Sequence, residues 1–123
     1  MLVKRIYEYA ITLKRCIDGD TVEGDIDLGC NVWLNNQRFR LYRINAPEKH
    51  GATAQVGLEA KAYLESLVAR YGAHLLCRTH KGTAEHDSFG RWLVELLGED
   101  EQGVQCNLND QMLSSGHAVE FMP

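Results

Sequence analysis

Residues 40–48 read RLYRINAPE, a segment with the alternation of a β-strand that meets an abrupt stop. Arginine side chains alternate here with leucine, tyrosine and isoleucine, which favours a strand. Pro47 lacks the N–H that a strand ladder needs, and it holds Ala46 in extended geometry, so the strand should end near Asn45. A carboxylate, Glu48, follows directly. The stretch therefore predicts a strand that carries arginine side chains close to a carboxylate.

Two further strands are predicted before this segment. Residues 6–17, IYEYAITLKRCI, are rich in β-branched and aromatic residues with rough alternation. DGDT at 18–21 has the composition of a tight turn, and VEGDIDL at 22–28 reads as the second strand. Gly29 and the Asn35–Asn36 pair predict a long hairpin loop within GCNVWLNNQ, ahead of a third strand at about 37–44.

A helix is the clearest element after the third strand. In residues 55–71, apolar side chains recur at helical spacing, and Gly72 is expected to end the helix as its C′ residue. The predicted buried face consists of Val56, Ala60, Leu64, Leu67, Val68 and Tyr71.

The rest of the chain alternates short strands with polar segments. Strands are predicted at 74–80 and 91–97, separated by the polar loop KGTAEHDSFG at 81–90. Residues 107–115 predict a short helix ending at Gly116, and an extended segment, HAVEFM, follows it.

The order of these elements indicates a mainly β fold with helices, in the α+β class. Five short strands with a helix after the third, in a chain of 123 residues, describe one domain spanning residues 1–123. A five-stranded OB-fold barrel with two to three short helices fits this order, because closing the barrel removes the sheet edges. An α+β sandwich is the competing fold.

Charge and composition limit the function. The net charge of −4 does not match a protein that coats nucleic acid nonspecifically, so any phosphate would be bound in a local pocket. The N-terminal residues show no apolar signal core and no stretch has the length of a membrane helix, so we expect a cytoplasmic monomer that does not bind membranes. The four cysteines are scattered and are expected to be free and mostly buried.

Three kinds of side chain suggest chemistry on phosphate. Asp18 and Asp20 flank a glycine and offer hard oxygen ligands of the kind that calcium prefers, although Asp-Gly-Asp is equally a plain turn. A guanidinium held on a strand, such as that of Arg40, can clamp phosphate oxygens, and Arg91 begins another strand after a glycine. Glu48, fixed behind a proline, could activate water as a general base.

Five segments together resemble the staphylococcal nuclease (thermonuclease) family, in order and in spacing. They span most of the chain, from about residue 8 to residue 121. The segments are IDGDTV (17–22), RLYRINAPE (40–48), GLEAKAYL (57–64), DSFGRWL (87–93) and LNDQMLSSGHA (108–118).

The resemblance implies an OB-fold barrel and a calcium-dependent nuclease that hydrolyses phosphodiester bonds of DNA and RNA and leaves 3′-phosphate ends. Single-stranded DNA and RNA, and possible duplex DNA, are the implied partners. Arg40 and Arg91 match the two catalytic arginines of the family, and Glu48 matches its catalytic glutamate. Asp20 matches a calcium-ligating aspartate, and the backbone carbonyl of Ala46 matches a main-chain ligand.

One departure from the family pattern bears directly on calcium. Asn45 stands where the family often has a second calcium-ligating aspartate, so one formal charge is missing from the ligand set. We expect the Asn45 side-chain carbonyl to serve as a ligand and calcium binding to be weak.

Two alternatives stay open at the level of sequence. Trp33 lies in a hairpin about six residues longer than the family's best-known member has, and it is either a cap on the barrel or a surface on which a base stacks. The chain is either the nuclease or a catalytically weak, nucleic-acid- or protein-binding module on the same barrel. The combined presence of Arg40, Glu48, Arg91 and Asp20 favours the enzyme.

Overall fold

The computed structural model describes residues 7–48, 51–79 and 91–121. In chain order the elements are β1 (Tyr7–Asp18), β2 (Thr21–Gly29), β3 (Val32–Leu41), β4 (Ile44–Asn45), α1 (Ala54–Tyr71), β5 (Leu75–Thr79), β6 (Trp92–Glu99), β7 (Gln105–Asn107), α2 (Leu108–Ser114) and β8 (Val119–Glu120). Short 3₁₀ turns at Gly51–Thr53 and Gly72–His74 flank α1.

Five of the strands close into a barrel. β1 pairs antiparallel with both β2 and β5, β2 pairs with β3, and β5 pairs with β6. The parallel pairing of β3 with β6, at Phe39↔Trp92 and Arg40↔Leu93, completes the circuit. The inward-facing side chains of these strands form the core with α1, and Val22, Phe39, Leu64 and Val94 are almost wholly buried. The predicted OB-fold barrel is confirmed, and a closed barrel excludes the sandwich.

The β2–β3 connection is tighter than predicted. Instead of a long loop, Cys30 and Asn31 form a two-residue turn in which both have positive φ, 55° and 62°. Two left-handed residues in succession are the geometry of a type I′ hairpin, whose twist matches that of its strands. The third strand therefore begins at Val32 rather than near residue 37.

The third strand also ends earlier than predicted. β3 stops at Leu41, and a turn at Tyr42 and Arg43 separates it from β4. Arg43 has a φ of 69°, and the Tyr42 N–H donates to the Val94 carbonyl across the barrel seam. This kink reverses the alternation, so Ile44 enters the core although Arg40, four residues earlier, does not.

The predicted helix forms, with two differences in detail. Ala60, Leu64, Leu67 and Tyr71 are buried as expected, but Val56 lies in the first turn and is exposed. Gly72 is the C-cap with right-handed geometry, φ −48°, because the chain continues into a 3₁₀ turn instead of reversing at a left-handed glycine.

The C-terminal part of the chain joins the barrel through a buried asparagine that the sequence analysis missed. The Asn109 side chain, fully buried on α2, accepts the Leu96 N–H at 3.1 Å and donates to the carbonyls of Tyr42 at 3.0 Å and Val94 at 3.1 Å. α2 is thereby fixed against the seam between β3 and β6. The short strand β8 then pairs with β4 through Ile44↔Glu120 and Asn45↔Val119.

Several other predictions are resolved by burial. The Trp33 side chain does not cap the barrel, because the residue is 46% exposed on β3. All four cysteines are free; Cys16 and Cys77 are buried, Cys106 is partly buried and Cys30 is exposed.

The predicted loop at 81–90, with Asp87, lies outside the described residues. None of the described helices has the length and apolar character needed to span a membrane.

Candidate active site

Strand register brings three separate segments of the chain together at one end of the barrel. The turn between β1 and β2 is closed by the pair Asp18↔Thr21, and Thr21 is in turn the partner of Arg40 on β3. Arg40 is also aligned with Leu93, near the start of β6. The β1–β2 turn, the end of β3 and the start of β6 are therefore neighbours.

These segments line a polar cavity of about 130 Å³. Every residue that the sequence analysis assigned to catalysis or to calcium contributes to its wall, and Asp18 joins them. The lining residues are Asp18, Asp20, Arg40, Asn45, Ala46, Glu48 and Arg91. Residues distant in sequence thus share one site.

The carboxylate of Asp20 is the centre of the hydrogen-bond network in this cavity. Its Oδ2 accepts the Ala46 N–H at 2.8 Å and lies 3.4 Å from Arg40 Nη1, and its Oδ1 accepts the Thr21 hydroxyl at 2.9 Å. The Asp20 carbonyl also accepts the Leu41 N–H at 2.8 Å. A side chain only 9% exposed needs such partners, because a buried charge without them is costly.

Arg40 is held in a fixed position by oxygen acceptors on several sides. Its Nη1 donates to the Ile44 carbonyl at 2.7 Å and to the Leu41 carbonyl at 3.2 Å. Its Nη2 donates to Asn45 Oδ1 at 3.1 Å. The kink after Leu41 turns these carbonyls towards the guanidinium. The result is a cation, 11% exposed, that is oriented before any ligand arrives.

The second arginine approaches the same carboxylate through a residue that the sequence analysis did not single out. Arg91 Nη1 donates to Thr21 Oγ1 at 3.4 Å, and that hydroxyl donates to Asp20 Oδ1. Thr21 is buried at the end of the turn. The sequence predicts a turn with possible metal ligands at DGDT, and it gives no role to the threonine. The hydrogen bonds of the folded barrel place that threonine between Asp20 and Arg91.

Asn45 and Glu48 lie on either side of the proline. Asn45 ends β4, and its side-chain oxygen accepts from Arg40, so it contributes an acceptor without a charge. Glu48 is exposed at the cavity wall, and its backbone carbonyl accepts the Thr53 hydroxyl at 2.8 Å, just before α1 begins. Pro47 ends the extended segment as predicted, and Glu48 follows it as a lining residue of the same cavity as Arg40.

The turn that presents Asp18 and Asp20 can contain only glycine at its centre. A Cβ added to Gly19 would lie 2.8 Å from the Ala60 Cβ on α1 and 2.9 Å from the Ala46 Cβ. Such distances are shorter than van der Waals contact, so a larger residue would displace the turn or the helix. Close packing against α1 therefore sets the position of both carboxylates.

The donor set of the cavity suits a hard cation. Its oxygens come from the side chains of Asp18, Asp20 and Glu48, from the Asn45 amide and from the Ala46 backbone, all of which are calcium-type ligands. Both carboxylate oxygens of Asp20 accept hydrogen bonds from protein donors. Within residues 7–48, 51–79 and 91–121, no three acidic, histidine or cysteine side chains lie close enough together to form a metal cluster. The chemistry of the ligands fits calcium.

Arg43 belongs to a different network, although it lies in the same sequence stretch. Its Nη2 donates to Glu95 Oε1 at 3.0 Å. Glu95 is buried and also accepts from Arg78 Nη1 at 3.3 Å and from Asn107 Nδ2 at 3.4 Å. Among the charged residues grouped around the third strand, Arg43 therefore has a structural role outside the cavity.

Comparison with known proteins identifies the family of the chain. Residues 38–122 match the family model described as staphylococcal nuclease homologue. The match covers more than half of the chain, and the chain belongs to that family. Arg40, Glu48 and Arg91 lie within the matched residues, whereas Asp18 and Asp20 precede them and reach the same cavity through the barrel. A search of curated proteins gave no significant match.

Proposed function

We propose that this member of the staphylococcal nuclease family is a calcium-dependent nuclease that hydrolyses phosphodiester bonds of DNA or RNA and leaves 3′-phosphate ends. The observation that carries the proposal is the polar cavity in which Arg40, Arg91 and Glu48 meet Asp18 and Asp20. Two guanidiniums and a carboxylate facing one small space are the parts that phosphodiester hydrolysis needs.

The two arginines bind the reacting phosphate. A planar guanidinium donates two parallel hydrogen bonds to phosphate oxygens and offsets the charge that builds up as the nucleophile attacks. Arg40 is already oriented by the Leu41 and Ile44 carbonyls, which calcium does not need, so little reorganisation is needed when the phosphate binds. Arg91 contributes from the residue just before β6, beside Thr21.

Glu48 acts as the general base. Glu48 lines the cavity and is exposed, so a water molecule can reach both its carboxylate and a bound phosphate. Glu48 takes the proton of that water as the oxygen attacks phosphorus, the bond from phosphorus to the 5′-oxygen of the next nucleotide breaks, and that oxygen takes a proton from solvent as it leaves. The phosphate stays on the 3′-oxygen of the preceding nucleotide.

Asp20, the Asn45 side-chain carbonyl and the Ala46 backbone carbonyl would hold calcium, with Asp18 nearby. Bound there, calcium supplies Lewis-acid polarisation of a phosphate oxygen. Because Asn45 brings no charge to this set, calcium binding is expected to be weak.

Replacing each catalytic side chain tests the assignment. Arg40→Gln and Arg91→Gln should each lower kcat on single-stranded DNA by about 10²–10³-fold, because each removes one donor from the developing charge. Glu48→Gln should lower kcat by about 10²–10⁴-fold. Arg91→Lys should recover little activity, since a point charge lacks the guanidinium fork.

Arg70→Gln is the matched control for the arginine variants. Arg70 is exposed at the end of α1, and its guanidinium lies over the ring of Tyr71. Tyr71 packs against Gly98, at the end of β6 that is distant from Arg91. It makes the same charge change outside the cavity, and activity should stay at the wild-type level. If Arg40→Gln and Arg91→Gln, with wild-type Tm, cleave as fast as this control, the assignment is wrong.

A further inference from the structure

A second group of charged and aromatic side chains extends from the cavity along the outer face of β2 and β3. Strand register pairs Thr21 with Arg40 and Glu23 with Arg38. Since side chains two residues apart share one face of a strand, Arg38 lies on the same face as Arg40, roughly 7 Å further along. The face therefore continues beyond the residues that line the cavity.

A bulge in β3 brings Trp33 to this same face. The register moves from Gly24↔Gln37 to Ile26↔Leu34, so β3 advances three residues while β2 advances two. The extra residue lies at Asn35–Asn36, where Asn36 has a φ of 57°. Without it, Trp33 would point into the barrel. With it, Leu34 lines an apolar pocket with Ile26 and Phe39, and Trp33, opposite Asp27, lies on the other face of the strand.

Around Glu23 on this face, the cations of Arg38 and of Arg15 on β1 lie out in solvent, while the acidic residues Asp25 and Asp27 follow Glu23 along β2. Glu23 Oε2 lies 3.2 Å from Arg15 Nη2 and 3.5 Å from Arg38 Nε. The side chains of Arg15 and Arg38 are 60% and 55% exposed, whereas that of Glu23 is 20% exposed. Two guanidiniums thus share one shielded carboxylate. They can turn outward to an anion at little cost, because exposed ion pairs are weak.

We propose that this outer face is an extended binding track for single-stranded nucleic acid, in which Arg38 and Arg15 bind phosphates next to the reacting one and Trp33 stacks on an unpaired base. The proposal rests on the proposed function, since it takes the strand to leave the cavity beside Arg40. Exposed cations followed by an exposed indole are the features by which proteins bind single strands. We propose a single strand rather than a duplex because only an unpaired base can unstack from its neighbours and stack on the Trp33 indole.

The spacing along β3 sets the length of substrate that uses the track. From Arg40 to Trp33 the strand advances by roughly 20 Å. At one phosphate per 3.4 Å or more along a strand, this distance corresponds to about six nucleotides or fewer. A dinucleotide places its one phosphodiester at the cavity and is too short to reach Trp33, whereas an oligothymidylate of about 12 nucleotides should cover the track.

Binding of such a labelled oligothymidylate, measured in EDTA by fluorescence anisotropy over a range of salt concentration, tests the track without cleavage. Arg38→Gln should lower the slope of log K against log salt by about 0.7, the value for one phosphate contact on a single strand. Trp33→Ala should weaken binding by about 5- to 150-fold and leave the slope unchanged, because it removes stacking and no charge. Arg70→Gln should bind as the wild type does.

Cleavage kinetics separate this proposal from the proposed function. With calcium, Arg38→Gln and Trp33→Ala should cleave a dinucleotide as the wild type does and show lower kcat/KM on the oligothymidylate. If both variants match the wild type in oligonucleotide binding and salt slope, the track is overturned, whether or not the enzyme cleaves. If the wild type cleaves neither substrate while the variants show the expected binding changes, the track stands and the nuclease assignment fails.

Discussion

In the proposed function, Asn45 is the residue expected to set the strength of calcium binding. It ends β4 at the cavity wall, and its Oδ1 accepts from Arg40 rather than carrying a charge of its own. Calcium affinity rises with the number of charged ligands. An uncharged amide at this place therefore predicts a site that binds calcium weakly and leaves the Arg40 guanidinium less neutralised for phosphate.

Restoring a charge at this position should tighten calcium binding. Asn45→Asp is expected to lower the calcium Kd by about tenfold, because it adds a carboxylate beside Asp20. Isothermal titration calorimetry measures the change directly. Asn35→Asp, an exposed site on β3 outside the cavity, makes the same charge change and should leave the Kd as it is. Equal Kd values for both variants and the wild type would show that Asn45 does not ligate calcium.

The cysteines differ in the reactivity that their surroundings permit. Burial raises the pKa of the Cys77 thiol to about 12, and burial with the nearby charge of Glu65 raises that of Cys16 to about 11. Cys30 is exposed in the β2–β3 turn. Since the thiolate is the reactive form, the two buried thiols should be inert in the folded protein.

Thiol labelling checks this difference. With iodoacetamide at about pH 8, close to the ordinary thiol pKa, Cys30 should be modified first, and Cys16 and Cys77 should react only after unfolding. Mass spectrometry of the digested protein locates the modified residues. Cys30→Ser should remove the fast phase of labelling. Modification of Cys16 or Cys77 in the folded protein at the rate of Cys30 would contradict their described burial.

At the scale of elements, α2 is held to the barrel by the Asn109 side chain. This one amide satisfies the Leu96 N–H and the carbonyls of Tyr42 and Val94, so it joins β6, the end of β3 and the helix. Buried backbone groups that lose their partner bear the full cost of desolvation. The barrel seam next to the cavity thus depends on a residue that contacts no ligand.

Removing the amide should therefore destabilise the protein strongly. Asn109→Ala is expected to lower the free energy of unfolding by about 3 kcal/mol, since it leaves buried backbone groups unpaired and opens space in the core. Urea unfolding followed by circular dichroism measures the loss. Gln111→Ala, two residues along the same helix and only partly buried, should cost less than about 1 kcal/mol. A loss for Asn109→Ala no larger than this control would contradict the clamp.

Local pattern was sufficient to predict most of the elements. Alternation of apolar residues identified β1, β2, β5 and β6, and helical spacing identified α1. The errors fall in β3, where the turn at Cys30–Asn31, the bulge at Asn36 and the kink at Arg43 each use a left-handed residue that is not glycine. Their positions follow from pairing with β2 and β6, which local sequence does not contain.

The residues of the site also fall into two groups: those that the sequence identified and those whose role appears only in the folded barrel. Resemblance to the family identified Arg40, Glu48, Arg91, Asp20 and Asn45, and the barrel brings all of them to one cavity. Thr21 and Asn109 were missed because their roles exist only between elements: Thr21 lies between Asp20 and Arg91, and Asn109 spans the barrel seam. Neither residue type carries a sequence signal for such a role.

At the scale of the whole molecule, a closed barrel offers a way for a chain with a net charge of −4 to act on the polyanionic substrate of the proposed function. Affinity for phosphate need not come from the net charge of the protein, because the barrel places Arg40 and Arg91 at one cavity. Because a chain of net negative charge gains no overall attraction to a polyanion, the proposed function predicts that local phosphate contacts, rather than net charge, determine which substrates are cleaved.

The most direct test of the account is the cleavage of single-stranded DNA and of RNA with calcium or with EDTA, followed by analysis of the product ends. The account predicts that the wild type cleaves only with calcium and leaves 3′-phosphates, and that the Arg40→Ala, Glu48→Ala double variant does not cleave. A folded wild-type protein that cleaves neither substrate at saturating calcium would contradict the account and identify the domain as a binding module.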